Sequence, residues 1–131
     1  MRGYAAMTAQ EVSDFASSQT LDISDIYAPT ATFLAAHPDL DEEEIEFTLS
    51  MVAAEDALEM KSDGSGAACV LAFEIPQQLI SESHEMSVSL SSSLSWNDLQ
   101  CLFEVSADGE ELTWFATQEI SQNISTWLKQ A

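Results

Sequence analysis

The segment Ala67–Ile75, AACVLAFEI, is apolar at every position except Glu74. A strand that faces water on one side alternates apolar and polar residues, so a run this continuous needs cover on both faces and belongs inside a sheet. The rest of the chain must therefore supply strand neighbours and helices to lie over them.

The order of local signals shows how. RGYAAM, residues 2–7, reads as an opening strand, because Thr8 and Glu11 form a capping box that starts a helix over residues 8–17, with Val12, Phe15 and Ala16 on one face. LDISDIYAPT supplies a second strand, with Leu21 and Ile23 at period two, and Pro29 stops its pairing. Thr30 or Thr32 caps a brief helix, ATFLAAH, that Pro38 ends, and an acidic helix follows over residues 41–61. SDGSG then supplies a glycine cap and a turn before the apolar run.

Beyond that run, MSVSLS, residues 86–91, alternates Met86, Val88 and Leu90 with serines, the pattern of a strand with one wet face. One helical twist over Ser95–Leu99 leads into a strand at Cys101–Val105, and ADGE makes the next turn. From Glu111 to Lys129, a stripe of Leu112, Ala116, Ile120, Ile124, Trp127 and Leu128 at helical spacing predicts a final helix. The order β-α-β-α-α-β-β-β-α is an α+β pattern, and its simplest form is a two-layer sandwich of one mixed sheet of about five strands with helices packed on it. The early helices can serve as right-handed crossovers, and the closely spaced later strands favour antiparallel pairing. With 131 residues and no internal repeat or long linker, a single domain over 1–131 is expected.

Charge restricts the partners. Arg2, Lys61 and Lys129 are the only basic residues against 23 acids, a formal charge of -20. Phosphate backbones and anionic membranes both need clustered cations, so direct nucleic-acid binding and membrane binding are not expected. No apolar stretch is long enough to span a bilayer or to act as an export signal, so a cytosolic location is expected. A surface this acidic repels its own copies, favours cationic partners and gains stability from added salt. The apolar content of 46% in regular periods marks a folded chain rather than an acidic tail.

The acids concentrate in DLDEEEIEFTLSMVAAEDALEM, residues 39–60. On a helical projection its apolar residues form two stripes, one with Ile45, Leu49, Val52, Ala53 and Met60, the other with Phe47, Met51, Ala54 and Leu58. Two stripes predict a helix wedged between the sheet and a neighbouring helix. Between them run Glu44, Thr48, Glu55 and Glu59 on one strip and Glu43, Glu46, Ser50 and Lys61 on the other. The first acids suit the helix start, where they meet unpaired amides and the positive dipole end. Both lysines fall in the last turn of a predicted helix, where cations are favoured. The like-charged pairs Glu42/Glu46 and Glu55/Glu59 offer the helix nothing in return. Asp56 projects towards an apolar face, where a carboxylate needs a partner: a helix-edge position or a backbone amide is the plain solution, a functional acid the other.

Little else points to chemistry. His84 in SESHE has Glu82 and Glu85 beside it but no ligand set to complete a metal site, and DLDEEE lacks the glycine and terminal Glu of a calcium loop. SDGSG lacks the lysine and spacing of a phosphate loop, and no serine sits in a nucleophile elbow. Cys69 and Cys101 lie apart in apolar strands and read as buried reduced thiols, and the three tryptophans as packing residues. No metal or cofactor is expected. The leading expectation is a non-enzymatic interaction module that binds a basic protein partner through Glu43, Glu44, Glu46, Glu55, Asp56 and Glu59, with the acidic turn at Asp108–Glu111. A small enzyme with Asp56 or His84 in a cleft is one alternative. A nucleic-acid mimic that blocks a DNA- or RNA-binding protein is another.

MRGY at the start, APTATFLAAHPDLDEEEIEFTLSMVAAEDAL, the strand VLAFEIP and the later SWNDLQCLFEV together resemble a family of small uncharacterised actinobacterial proteins, in which a Met-Arg-x-Tyr strand precedes an acidic, alanine-rich helix and a hydrophobic strand ending in proline. Gly3 stands where a bulky strand residue is usual, and arginines are fewer. The resemblance implies a cytoplasmic bacterial α+β domain and assigns no functional residue.

Overall fold

The apolar run forms an interior strand, as its composition demands. The structure, a computed structural model, describes residues 1–62 and 66–130. Along the chain lie β1 (Arg2–Thr8), α1 (Ala9–Ser18), β2 (Thr20–Leu21), β3 (Asp25–Tyr27), α2 (Ala31–Ala36), α3 (Glu42–Ser62), β4 (Ala68–Glu74), β5 (Ile80–Ser83), β6 (Ser87–Leu90), β7 (Leu94–Ser95), β8 (Leu99–Val105), β9 (Leu112–Ala116) and α4 (Ile120–Lys129). Short 3-10 turns occupy Gln77–Leu79, Trp96–Asp98 and Thr117–Glu119, the second being the twist expected at Ser95–Leu99. The turn expected of SDGSG falls on residues 63–65, outside the described residues.

Seven strands make one sheet in the order β5-β6-β3-β1-β4-β8-β9, and β2 pairs with β7 in a separate ribbon. The α+β class and the sheet with helices packed on it are as expected. The sheet is larger than the five strands read from the sequence and antiparallel at every pairing rather than mixed. The first helix does not act as a crossover between parallel neighbours. It leads into β2, which leaves the main sheet for β7, and β3 then returns antiparallel beside β1.

β4 shows why both faces are covered. Cys69, Leu71 and Phe73 point to a core shared with Val12 and Phe15 of α1 and Ile120 and Trp127 of α4. Ala68, Val70 and Ala72 point the other way, to a core with Leu49, Ala53, Ala54 and Ala57 of α3. Phe15 packs on Phe73 and Trp96 with ring centroids 5.9 and 4.9 Å away, and Trp127 meets Phe115 edge-on at 5.2 Å. The buried Trp127 indole donates to Glu104 at 3.1 Å, so its polar atom is satisfied in the core. Gly3 has a packing reason: a Cβ there would stand 2.5 Å from Ile75 Cδ1 and 3.0 Å from Ile26 Cδ1.

Two local expectations are corrected. Residues 111–129 are a strand, a turn and a helix, not one helix. A spacing of four fits one face of a strand as well as of a helix, so Leu112 and Ala116 satisfied both patterns, and Thr113, Trp114 and Phe115 favour the strand that the edge of β8 can pair with. The second correction concerns α3: Phe33 of α2 shares its core, but the helix does not bury two apolar stripes. Its buried positions are Leu49, Ser50, Ala53, Ala54 and Ala57, a single band of mostly small residues lying on the sheet, while Phe47 of the second stripe is 62% exposed.

Candidate functional site

α3 begins as its sequence requires. Asp41 Oδ1 accepts from the Glu44 amide at 2.8 Å and Glu44 Oε1 accepts from the Asp41 amide at 3.1 Å, a reciprocal cap, with Glu42 and Glu43 in the same first turn. Lys61 and Lys129 close α3 and α4 from their last turns.

Because α3 lies on β1, β4 and β8 with its alanine band inward, its carboxylates divide into three groups. Glu44, Glu55 and Glu59 are exposed on the outward strip. Glu43 and Glu46 border a groove of about 350 Å³ between α3 and the surface of β8–β9, walled by Phe47 and Met51 and floored by Phe103 and Leu112. Glu110, from the turn before β9, stands on the far rim of that groove. Asp56 lies on the opposite flank, in a cleft of about 390 Å³ shared with Tyr27, Asp25 and Met60. The six acids singled out in the sequence therefore share one helix but not one site.

Asp56 is half-buried, and the Tyr27 hydroxyl donates to its Oδ2. Burial, this hydrogen bond and the charges of Asp56, Glu55 and Glu59 push the Tyr27 phenol up to about 12. The pair is a protonated phenol on a carboxylate at neutral pH. Sequence reasoning anticipated that Asp56 needs a partner, yet Tyr27 lies 29 residues away and only the β1–β3 pairing, Tyr4 opposite Tyr27, brings it beneath α3.

His84 follows β5, with Nε2 2.7 Å from Ser89 Oγ, and Ser89 donates to Asp25 Oδ1 at 2.7 Å. Asp25 Oδ1 and Glu82 Oε2 lie 3.8 and 3.9 Å from the same nitrogen. His84, Ser89 and Asp25 thus form one exposed hydrogen-bonded chain. Among the described residues no group of three or more His, Cys, Asp or Glu is arranged to hold a metal ion. Cys69 and Cys101 are buried and unpaired with each other, and burial, with Glu104 nearby, pushes the Cys69 thiol up to about 12. Asp108 is held below the usual carboxylate range by the Ser106 hydroxyl and the Glu110 amide, which fixes the acidic turn in place.

Arg2 stands in the groove floor, its Nε 3.2 Å from the Tyr4 hydroxyl and 3.9 Å from Glu46 Oε1. Trp114 of β9 lies opposite Phe103 on the same face and is 57% exposed. This apolar surface went unread in the sequence, because Trp114 was assigned to a helix. The period-two set Leu112, Trp114, Ala116 was the signal that could have found it.

A family model matches residues 1–104, more than half of the chain. The chain belongs to the family of unknown function DUF6912. The likeness read from MRGY, the acidic helix and VLAFEIP thus leads to a family of uncharacterised proteins. The DUF6912 match runs from β1 into β8 and so takes in α3 and the Tyr27–Asp56 pair, whereas β9 lies beyond it. No curated protein and no solved structure matches the chain. Among the described residues no helix is long and apolar enough to cross a membrane.

Proposed function

We propose that this chain works by interaction and binds a basic protein partner on the α3 side of its sheet. The observation that carries the proposal is the position of the charges. Glu43, Glu44 and Glu55 are exposed, and among the described residues the ion pairs fall on Glu74, Glu46, Asp25 and Glu82, with none on these three. Arg2 is engaged with Tyr4 and Glu46 in the sheet, and the two lysines sit at helix ends. An acidic face with far more carboxylates than cations attracts a cationic partner and steers its approach.

The test is the affinity of the whole chain for a labelled Lys/Arg-rich peptide, measured by fluorescence anisotropy against salt. Binding should weaken steadily as salt rises. Glu43→Gln/Glu44→Gln/Glu55→Gln should slow association at low salt, with Asp14→Asn on α1 as the control that does not. Affinity indifferent to salt, or a triple variant that associates like the wild type, would refute the proposal. A DNA- or RNA-binding protein is one class of basic partner, the case of a nucleic-acid mimic, and competition by an oligonucleotide for the bound partner marks it.

The Tyr27–Asp56 cleft supports a second reading, a small enzyme with Asp56 as its acid or base. A phenol held near 12 keeps its proton at neutral pH, so Tyr27 would serve as a donor beside the carboxylate. A small molecule that raises the melting temperature of the wild type but not of Asp56→Asn would support this reading.

A further inference from the structure

The groove between α3 and β8–β9 combines three properties that the outward strip of α3 lacks. It carries a set of apolar side chains, Phe47 and Met51 on the wall and Phe103 and Leu112 on the floor. Two large side chains on this face are left in water: Phe47, in the groove wall, is 62% exposed, and Trp114, beside the groove floor opposite Phe103, is 57% exposed. It is also rimmed by acids from both sides, Glu43 and Glu46 from α3 and Glu110 from the turn before β9, while Arg2, which lines it, already faces Glu46. Phe47 and Trp114 supply rigid apolar area of the kind that anchors an interface, and the charged rim selects what can approach.

We infer that this groove docks a basic amphipathic segment of the partner, with a bulky apolar side chain seated between Phe47 and Trp114 and lysines or arginines against Glu43, Glu46 and Glu110. The inference rests on the proposed binding of a basic partner and specifies where and how that partner is held. A second copy of this chain is the wrong occupant, because each copy carries -20 and brings the same acidic rim. A purely polar basic segment would leave Phe47 and Trp114 in water, whereas an amphipathic one covers them and meets the rim at once.

The test uses the full chain and two labelled peptides of equal length and equal positive charge, one amphipathic with Leu and Phe along one face, the other with Ser and Gly in their place. The expected result is tighter binding of the amphipathic peptide, a shift of the Trp114 indole resonance on binding, and loss of affinity of about tenfold in Phe47→Ala and in Trp114→Ala. Both substitutions fall on exposed side chains, and a far-ultraviolet spectrum matching the wild type confirms the fold. Equal affinity for the two peptides, or variants that bind the amphipathic peptide like the wild type, would overturn the groove while leaving the basic-partner proposal in place. Failure of both peptides to bind at low salt would overturn both.

Discussion

Tyr27 and Asp56 show most clearly how a single side chain answers for its surroundings. The carboxylate lies at the flank of α3, half-buried, and the phenol below donates to it. Tyr27→Phe removes that donor and leaves the carboxylate partly desolvated, at a cost of about 1 kcal/mol in urea unfolding, towards the low end for a lost buried partner because water still reaches Asp56. The same pair sets an alkaline limit. The Tyr27 phenol stands at about 12 in the fold against 10.0 for a free tyrosine, so between these values the folded chain holds a proton that the unfolded chain has released. Its contribution is fully present below pH 10 and is lost as pH rises through about 12. Ultraviolet titration of phenolate absorbance should show this late tyrosine in the wild type and its disappearance in Tyr27→Phe. Burial likewise raises the Cys69 and Cys101 thiols, so a thiol reagent at neutral pH should find both unreactive in the native chain and both reactive after denaturation.

At the scale of elements, legibility followed the range of the forces involved. The start of α1 was readable because its cap is local: Thr8 Oγ1 accepts from the Glu11 amide at 3.2 Å and Glu11 accepts from the Thr8 amide at 3.0 Å. Thr8→Ala should therefore cost about 1 kcal/mol, measured by thermal or denaturant unfolding. β4 was readable because burial on both faces writes itself as an unbroken apolar run. The segment from Leu112 to Lys129 was not, since a spacing of four suits a strand and a helix alike and only the open edge of β8 decided between them. β5 was missed for a similar reason: ISES has one partly buried residue and becomes a strand by pairing with β6. The two apolar stripes of α3 were real in projection, but burial depends on what lies opposite. Its alanines face the sheet and Phe47 faces a groove. The acids of α3 were legible as a group, while their division among an outward strip, a groove rim and the Tyr27 cleft depends on where the helix rests on the strands.

For the molecule as a whole, charge dominates. At -20 with three basic residues, carboxylates repel one another across the surface, and salt shortens the range of that repulsion from about 10 Å at 0.1 M to about 3 Å at 1 M. The melting temperature should rise over that interval; each kcal/mol recovered is worth about 4 °C in a chain of this size. The two cores resist the repulsion from either face of the sheet, so Trp127→Ala or Phe15→Ala, both in the core with α1 and α4, should cost about 3–5 kcal/mol and deepen the dependence on salt. Phe47→Ala, at an exposed position, should leave the melting temperature nearly unchanged. Salt thus acts in opposite directions on folding and on binding, stabilising the chain while weakening its hold on a cationic partner. The most direct test of that partnership is a chemical-shift map of the whole chain titrated with a Lys/Arg-rich peptide at low salt. Perturbed amides gathered on residues 43–59 of α3 and on β9 are the predicted result, whereas shifts confined to the α1 and α4 face, or spread evenly over all the acidic residues, would contradict it.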